Sequence, residues 1–133
     1  MAVQLSSDVR DAMLDALEAE IGTGAILRIR TGSAPANCGT ADSGTIIAAL
    51  TLPSDWLATA SGGTKAKSGT WEDASADNTG VAAHFRIYDS GGTVCHLQGT
   101  VGEGTGDLQL VNTDINAGQA IEITSFTLSA GNA

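Results

Sequence analysis

With 133 residues and a net charge of −9 from 15 acids against 6 bases, the chain has room for one domain and lacks the clustered Lys and Arg that nucleic-acid phosphates demand. No Lys or Arg follows Arg86, and no apolar run is long enough to span a membrane. The opening "MAVQLSSDVR" has neither the basic nor the apolar region of a secretory signal, which predicts a soluble chain that is not exported by one.

"SSDVRDAMLDALEAEIG" reads as the one helix, with Ser6 or Ser7 as its N-cap and Gly22 as its stop. Val9, Met13, Leu17 and Ile21 recur every four residues, and Ala12, Leu14 and Ala16 widen that stripe, so this is the face expected to be buried. Asp8, Asp11, Asp15 and Glu18 lie on the other; Arg28 and Arg30 on the next strand are expected to offset them, with a basic partner surface as the alternative. In "AILRIRT", Leu27 and Ile29 alternate with Arg28 and Arg30, as in a half-buried strand. "GTIIAALTLP" is continuously apolar and reads as a strand buried on both faces.

The stretches "TGSAPANCGTADSG" and "TASGGTKAKSGTWEDASADNTG" are long loops or hold weak strands such as "TKAKS", whose Lys65 and Lys67 read as solvated. "VAAHFRIY" and "VCHLQGTV" form a hairpin, and "DLQLV" and "QAIEITSFTL" supply two more strands. In the last, the apolar phase moves from Ile121 and Ile123 to Phe126 and Leu128, which predicts a bulge near Thr124 or Ser125. "SAGNA" ends the chain as a small flexible tail. The whole, residues 1–133, is read as a single domain: an N-terminal arm and helix over 1–22, then seven or eight strands over 25–129. The predicted class is mainly β, an antiparallel β-sandwich or jelly-roll-like domain with one N-terminal α-helix. Leu, Ile, Val and Phe supply only 28 of 133 residues, a thin core that points to stability shared with other subunits.

His84, Asp89, Cys95 and His96 crowd into "HFRIYDSGGTVCHLQGTVG", the densest candidate for chemistry. Apolar residues sit at odd positions on both strands, so facing pairs must sum to an even number. A three-residue turn, Ser90-Gly91-Gly92, satisfies this, setting Phe85 opposite Leu97, Ile87 opposite Cys95 and Arg86 opposite His96. Cys95 then points inward and both histidines outward, too few ligands on either side for zinc. Asp73, Ser75 and Asp77 mimic the start of a calcium loop, but Asn78 and His84 stand where its glycine and glutamate belong. Glu103 and Asp107 form a carboxylate pair in a loop, and no nucleophile elbow or phosphate-binding glycine motif occurs. No catalytic, cofactor-binding or metal-ligating residue is assigned. Cys38 and Cys95 are expected to stay free thiols in a reducing cytosol. Val3 and Leu5 pack under the helix or reach a neighbouring subunit, and Trp56 and Trp71 fill a core corner or a subunit interface.

The order of "DVRDAMLDALEAEIG", "LRIRTGSAPAN", "GTIIAALTLP", "FRIYDSGGTVCHLQGTVG" and "ITSFTLS" resembles a family of small structural proteins of tailed bacteriophages and prophages. The resemblance implies a non-enzymatic virion protein with no cofactor, assembled in the host bacterial cytoplasm. Its leading role is a capsid decoration (cement) protein, a homotrimer on the head shell whose partner is the major capsid protein. A tail-associated protein, with tail proteins as partners, is the alternative. Neither role involves nucleic acid or membrane. A carbohydrate-binding β-sandwich is the competing class, with Trp56, Trp71 and Tyr88 as its only aromatic candidates.

Overall fold

Helix α1 (Ser7–Ile21) opens the computed structural model, in which residues 3–131 are described. The Ser6 hydroxyl accepts the Val9 N–H at 3.3 Å, and the Gly22 N–H closes the other end on the Glu18 carbonyl at 2.9 Å. Only part of the predicted stripe docks, with Ile21 in the core and Leu17 packed against it. Leu14 and Ile21 are buried, yet Val9 is 47% and Met13 54% exposed. The acids make the rest of the contact. Asp11 accepts the Gly63 N–H at 2.6 Å, Asp15 that of Ala60 at 3.1 Å and Glu18 that of Leu57 at 3.2 Å. The segment beneath the helix offers backbone donors and one cation as well as apolar side chains, and buried donors need acceptors. That cation is Lys65, with its ammonium 2.6 Å from Asp15 and 3.0 Å from Glu18. Lys65, only 3% exposed, is therefore buried rather than solvated, and it takes the role expected of Arg28 and Arg30.

Eleven strands follow: β1 (Ile26–Arg30), β2 (Ile46–Thr51), β3 (Thr64–Ala66), β4 (Glu72–Asp73), β5 (Gly80–Val81), β6 (His84–Tyr88), β7 (Cys95–Gly102), β8 (Leu108–Gln109), β9 (Asp114–Ile115), β10 (Ile121–Glu122) and β11 (Ser125–Ser129). Seven of them form one sheet in the order β2-β1-β6-β7-β8-β11-β3, and β10-β4 and β5-β9 form two short ladders. The fold is mainly β with one N-terminal helix, in the sandwich-like class expected. One ladder departs from the antiparallel rule: β7 and β8 run parallel, Val101 beside Leu108. The connection between them is short because Asp107 folds it back, its carboxylate accepting the Thr100 N–H at 2.9 Å and hydroxyl at 3.1 Å.

Two more expectations change and one alternative is settled. β2 is an edge strand with Ala49 and Thr51 exposed, not one buried on both faces. The end of β4 and the turn after it blunt the open edge of β2: Ala49 donates to Asp73 at 3.2 Å and Asp77 to the Ile47 carbonyl at 2.7 Å. The phase change after Ile123 is no bulge; the chain leaves the β10-β4 ladder and joins the large sheet. "TKAKS" does hold a strand, β3, outermost in that sheet.

Inward-facing Leu27, Ile29, Leu50, Phe85 and Ile87 share one core with residues of the short ladders such as Ile115 and Ile121. Trp56, Trp71, Phe126 and Phe85 run through it as a chain of rings, with centroids 6.0, 5.4 and 5.6 Å apart. Trp56 and Trp71 are fully buried, which places them in the core and not at a subunit interface. Each indole N–H finds a carbonyl, Gly22 at 3.2 Å and Ser68 at 3.1 Å. In the N-terminal arm, Val3 is exposed and Leu5 half-buried; Met1, Ala2, Asn132 and Ala133 lie outside the described residues. The described part of the tail is tied down, the Ala130 N–H donating to Gly63 at 2.9 Å while its carbonyl accepts Arg10 at 3.3 Å. Among the described residues no helix is long and apolar enough to cross a membrane.

Candidate functional site

The hairpin is real, but its register differs from the predicted one by two residues. Arg86 faces Gln98, Ile87 faces Leu97 and Phe85 faces Gly99; a bulge then sets Tyr88 against Cys95. The turn is longer than three residues, since the Asp89 N–H donates to Val94 at 3.2 Å and closes a loop over 90–93. Asp89 organises that loop, its carboxylate accepting the Thr93 and Val94 N–H groups at 3.3 and 3.4 Å, and Gly92 takes a φ of +68° that favours glycine. The parity argument keeps Phe85, Ile87 and Leu97 on one face. The bulge carries Cys95 to the other face, so it does not point into the core beside Ile87.

That other face is not solvent either, because all five residues of β6 are buried. Residues 31–45 lie across it and supply its acceptors. The Pro35 carbonyl accepts the Gln98 amide at 2.7 Å, and the Asn37 and Thr40 carbonyls accept one Arg86 nitrogen at 2.8 and 3.0 Å. His84, predicted to point outward, is fully buried with Nδ1 2.7 Å from the Gly32 carbonyl oxygen; an oxygen that only accepts makes Nδ1 the protonated nitrogen. His96 sits at the bulge, half-buried.

Asp42 is the centre of this layer. One carboxylate oxygen accepts both Arg86 Nη1 and the Tyr88 hydroxyl at 2.6 Å, and the other accepts Arg30 Nη2 at 3.1 Å. Arg28 donates to the Gly92 carbonyl at 3.1 Å with its guanidinium 4.7 Å over the Tyr88 ring. Strand alternation explains the assembly: with Leu27, Ile29, Phe85 and Ile87 directed into the core, Arg28, Arg30, Arg86 and Tyr88 must share the opposite face. The loop is pinned at its end as well. Gly44 has a φ of +73°, and a Cβ there would stand 2.0 Å from the Thr31 carbonyl oxygen, so only glycine fits.

The charges reinforce one another. Burial pushes the Asp42 carboxyl up, but the hydrogen bonds from Tyr88 and Arg86 and the charges of Arg30 and Arg86 outweigh it and hold the group below the usual carboxylate range. Burial also opposes the charge on Arg86, and its hydrogen bond to Asp42 together with the neighbouring Cys95, Asp42 and Tyr88 more than offsets this. Burial and the bond to Asp42 push the Tyr88 hydroxyl up. Burial and the neighbouring Cys38 push the Cys95 thiol up to about 12, against the opposing charge of Arg86. With both oxygens of Asp42 occupied and Tyr88 and Cys95 kept protonated, the arrangement acts as a latch that fastens a long loop to a sheet.

The other candidates are dispersed. Glu103 accepts the Thr113 N–H at 2.9 Å and hydroxyl at 3.0 Å, which hold its carboxyl below the usual range, while Asp107 serves Thr100. Asp73 accepts the Ser75 N–H at 3.0 Å and Asn78 donates to the Ile46 carbonyl at 2.7 Å, so the calcium-like stretch is a hydrogen-bonded turn. Among the described residues no group of three or more His, Cys, Asp or Glu could hold a metal ion. Asp42 and Cys38 escape a reading by motif because they sit in a stretch of small turn residues. The available signal is indirect: three arginines at outward positions of core strands require acceptors from some neighbouring loop. No protein-family model, curated protein or solved structure matches the chain.

Proposed function

We propose that this chain is a non-enzymatic structural protein of a tailed-bacteriophage virion, acting as a capsid decoration protein that braces the head shell. The observation that carries the reading is the direction of its charged groups. All six Lys and Arg side chains donate to acceptors of the same chain: Arg10 to Ala130, Arg28 to Gly92, Arg30 and Arg86 to Asp42, Lys65 to Asp15 and Lys67 to Gly69. What remains for a partner is an anionic exterior interrupted by exposed Val3, Val9 and Met13 on the arm and helix. Such a surface suits docking on a shell of the major capsid protein, as a homotrimer, where many modest contacts multiply over a closed lattice. The sequence resemblance supplies the virion setting. The carbohydrate-binding reading loses its support, because Trp56, Trp71 and Tyr88 are all buried.

The test is mass spectrometry of particles of the encoding phage or induced prophage, with heads separated from tails. The chain is expected in the head fraction at a stoichiometry set by the shell's symmetry. Recovery in tails alone replaces decoration with the tail-associated role, and absence from both fractions removes the virion reading.

A further inference from the structure

Cys38 in the covering loop and Cys95 at the start of β7 line one cavity of about 230 Å³, together with Asp42, Arg86 and Tyr88. Both are half-buried free thiols. Each is held in place by its neighbours. The Asn37 and Thr40 carbonyls, on either side of Cys38, both accept Arg86, so the latch fixes the loop at this point. Cys95 is fixed by its pairing with Tyr88, and its thiol donates to the Leu97 carbonyl at 3.4 Å. We propose that Cys38 and Cys95 are an oxidisable pair that closes to an intramolecular disulfide and locks the 31–45 loop to β7. The inference rests on the cavity and stands whether or not the chain belongs to a virion.

The oxidant required is a small-molecule disulfide such as glutathione disulfide. Cys95, pushed up to about 12 by burial and by Cys38, is a poor first nucleophile, so Cys38 attacks first. Its thiolate breaks the oxidant's S–S bond, forms a mixed disulfide and releases one glutathione thiolate, which takes up the proton Cys38 gave up. Cys95 then attacks the Cys38 sulfur and expels the second glutathione, which leaves with the Cys95 proton; the charge of Arg86 favours the transient Cys95 thiolate. Two protein thiols lose two electrons in all, and the oxidant becomes two thiols.

The full chain is incubated with glutathione disulfide or with a reducing dithiol, unfolded in the presence of an alkylating agent and weighed intact. The oxidised sample is expected to lose the mass of two hydrogens, to take up no alkyl group and to yield one peptide pair joining Cys38 to Cys95. Its melting temperature is expected to rise by roughly 10 °C, because the bridge closes a long loop of the unfolded chain. Cys38→Ala, a half-buried loop substitution, and independently Cys95→Ala are each expected to abolish that rise. Two alkylatable thiols after oxidation, a separate glutathione on each cysteine, or an equal thermal shift in the single variants would overturn the proposal.

Discussion

Asp42 meets donors from two adjacent strands, and the two guanidiniums it faces expose only 8% and 2% of their side chains. Asp42→Ala leaves both without their carboxylate. Since a buried charge that loses its partner costs far more than an exposed pair contributes, and Asp42 itself is partly solvated, the expected loss is about 2–3 kcal/mol by urea unfolding. Faster proteolysis within 31–45 should accompany it. The same groups set the dependence on pH. Asp42 and Asp15 are held below their ordinary value of 3.8, Asp15 by hydrogen bonds from Lys65 and the Ala60 N–H. Their contribution is therefore complete above that value and is lost as pH falls through the lower folded values. Cys95, Tyr88 and Lys65 are all raised, Lys65 because its bonds to Asp15 and Glu18 outweigh burial. Their contributions are complete below the unfolded values of 9.0, 10.0 and 10.5 and are lost above them. Stability measured against pH should decline on the alkaline side from about pH 9. Cys95→Ala is expected to make that decline shallower; an unchanged slope would show that Cys95 does not set it.

Helix α1 separates what spacing can reveal from what it cannot. Its limits, Ser6 cap and Gly22 stop are local chemistry and were readable from the residues, but its orientation depends on a partner of unusual kind. Amphipathic spacing presumes that an apolar stripe meets an apolar surface along its whole length, whereas α1 does so only through Leu14, Leu17 and Ile21 and otherwise meets the N–H groups of Leu57, Ala60 and Gly63. Lys65→Met is expected to cost about 2 kcal/mol, reduced from the fully buried case because Asp15 is partly exposed. Val9→Lys and Met13→Lys should each change the stability of the isolated chain by less than about 0.5 kcal/mol. Burial of the whole predicted stripe, Val9 and Met13 included, would instead make each of those substitutions costly, so chemical denaturation separates the two orientations directly. The hairpin shows the same division. Alternation fixed which face Phe85, Ile87 and Leu97 share, but the register turned on Asp89 gathering the Thr93 and Val94 amides, a side-chain bond that periodicity does not register. The latch was less legible still, because most of its acceptors are main-chain carbonyls, which every residue carries.

Across the whole molecule, three of the six Lys and Arg side chains, Arg30, Lys65 and Arg86, are buried, which weights the net charge of −9 toward the outside. Self-repulsion of like charges opposes compaction, while the buried pairs at Asp42 and Lys65 are screened far less than the surface. Raising sodium chloride from about 0.01 M to about 0.15 M shortens the screening length from about 30 Å to about 8 Å and is expected to raise the melting temperature by a few degrees. A fall would mean that the internal pairs are screened more than the exterior. One tie described above also governs the order of assembly. β3, on whose flank α1 rests, has its sheet partner in β11, and Ala130 bonds both Gly63 and Arg10. α1 precedes every strand in the chain, yet the surface it docks to is completed only by β11, more than a hundred residues later. Folding is therefore a late, largely all-or-none event, slow in the manner of chains dominated by distant pairings. A chain cut before Ser125 would hold its own helix with nowhere finished to put it.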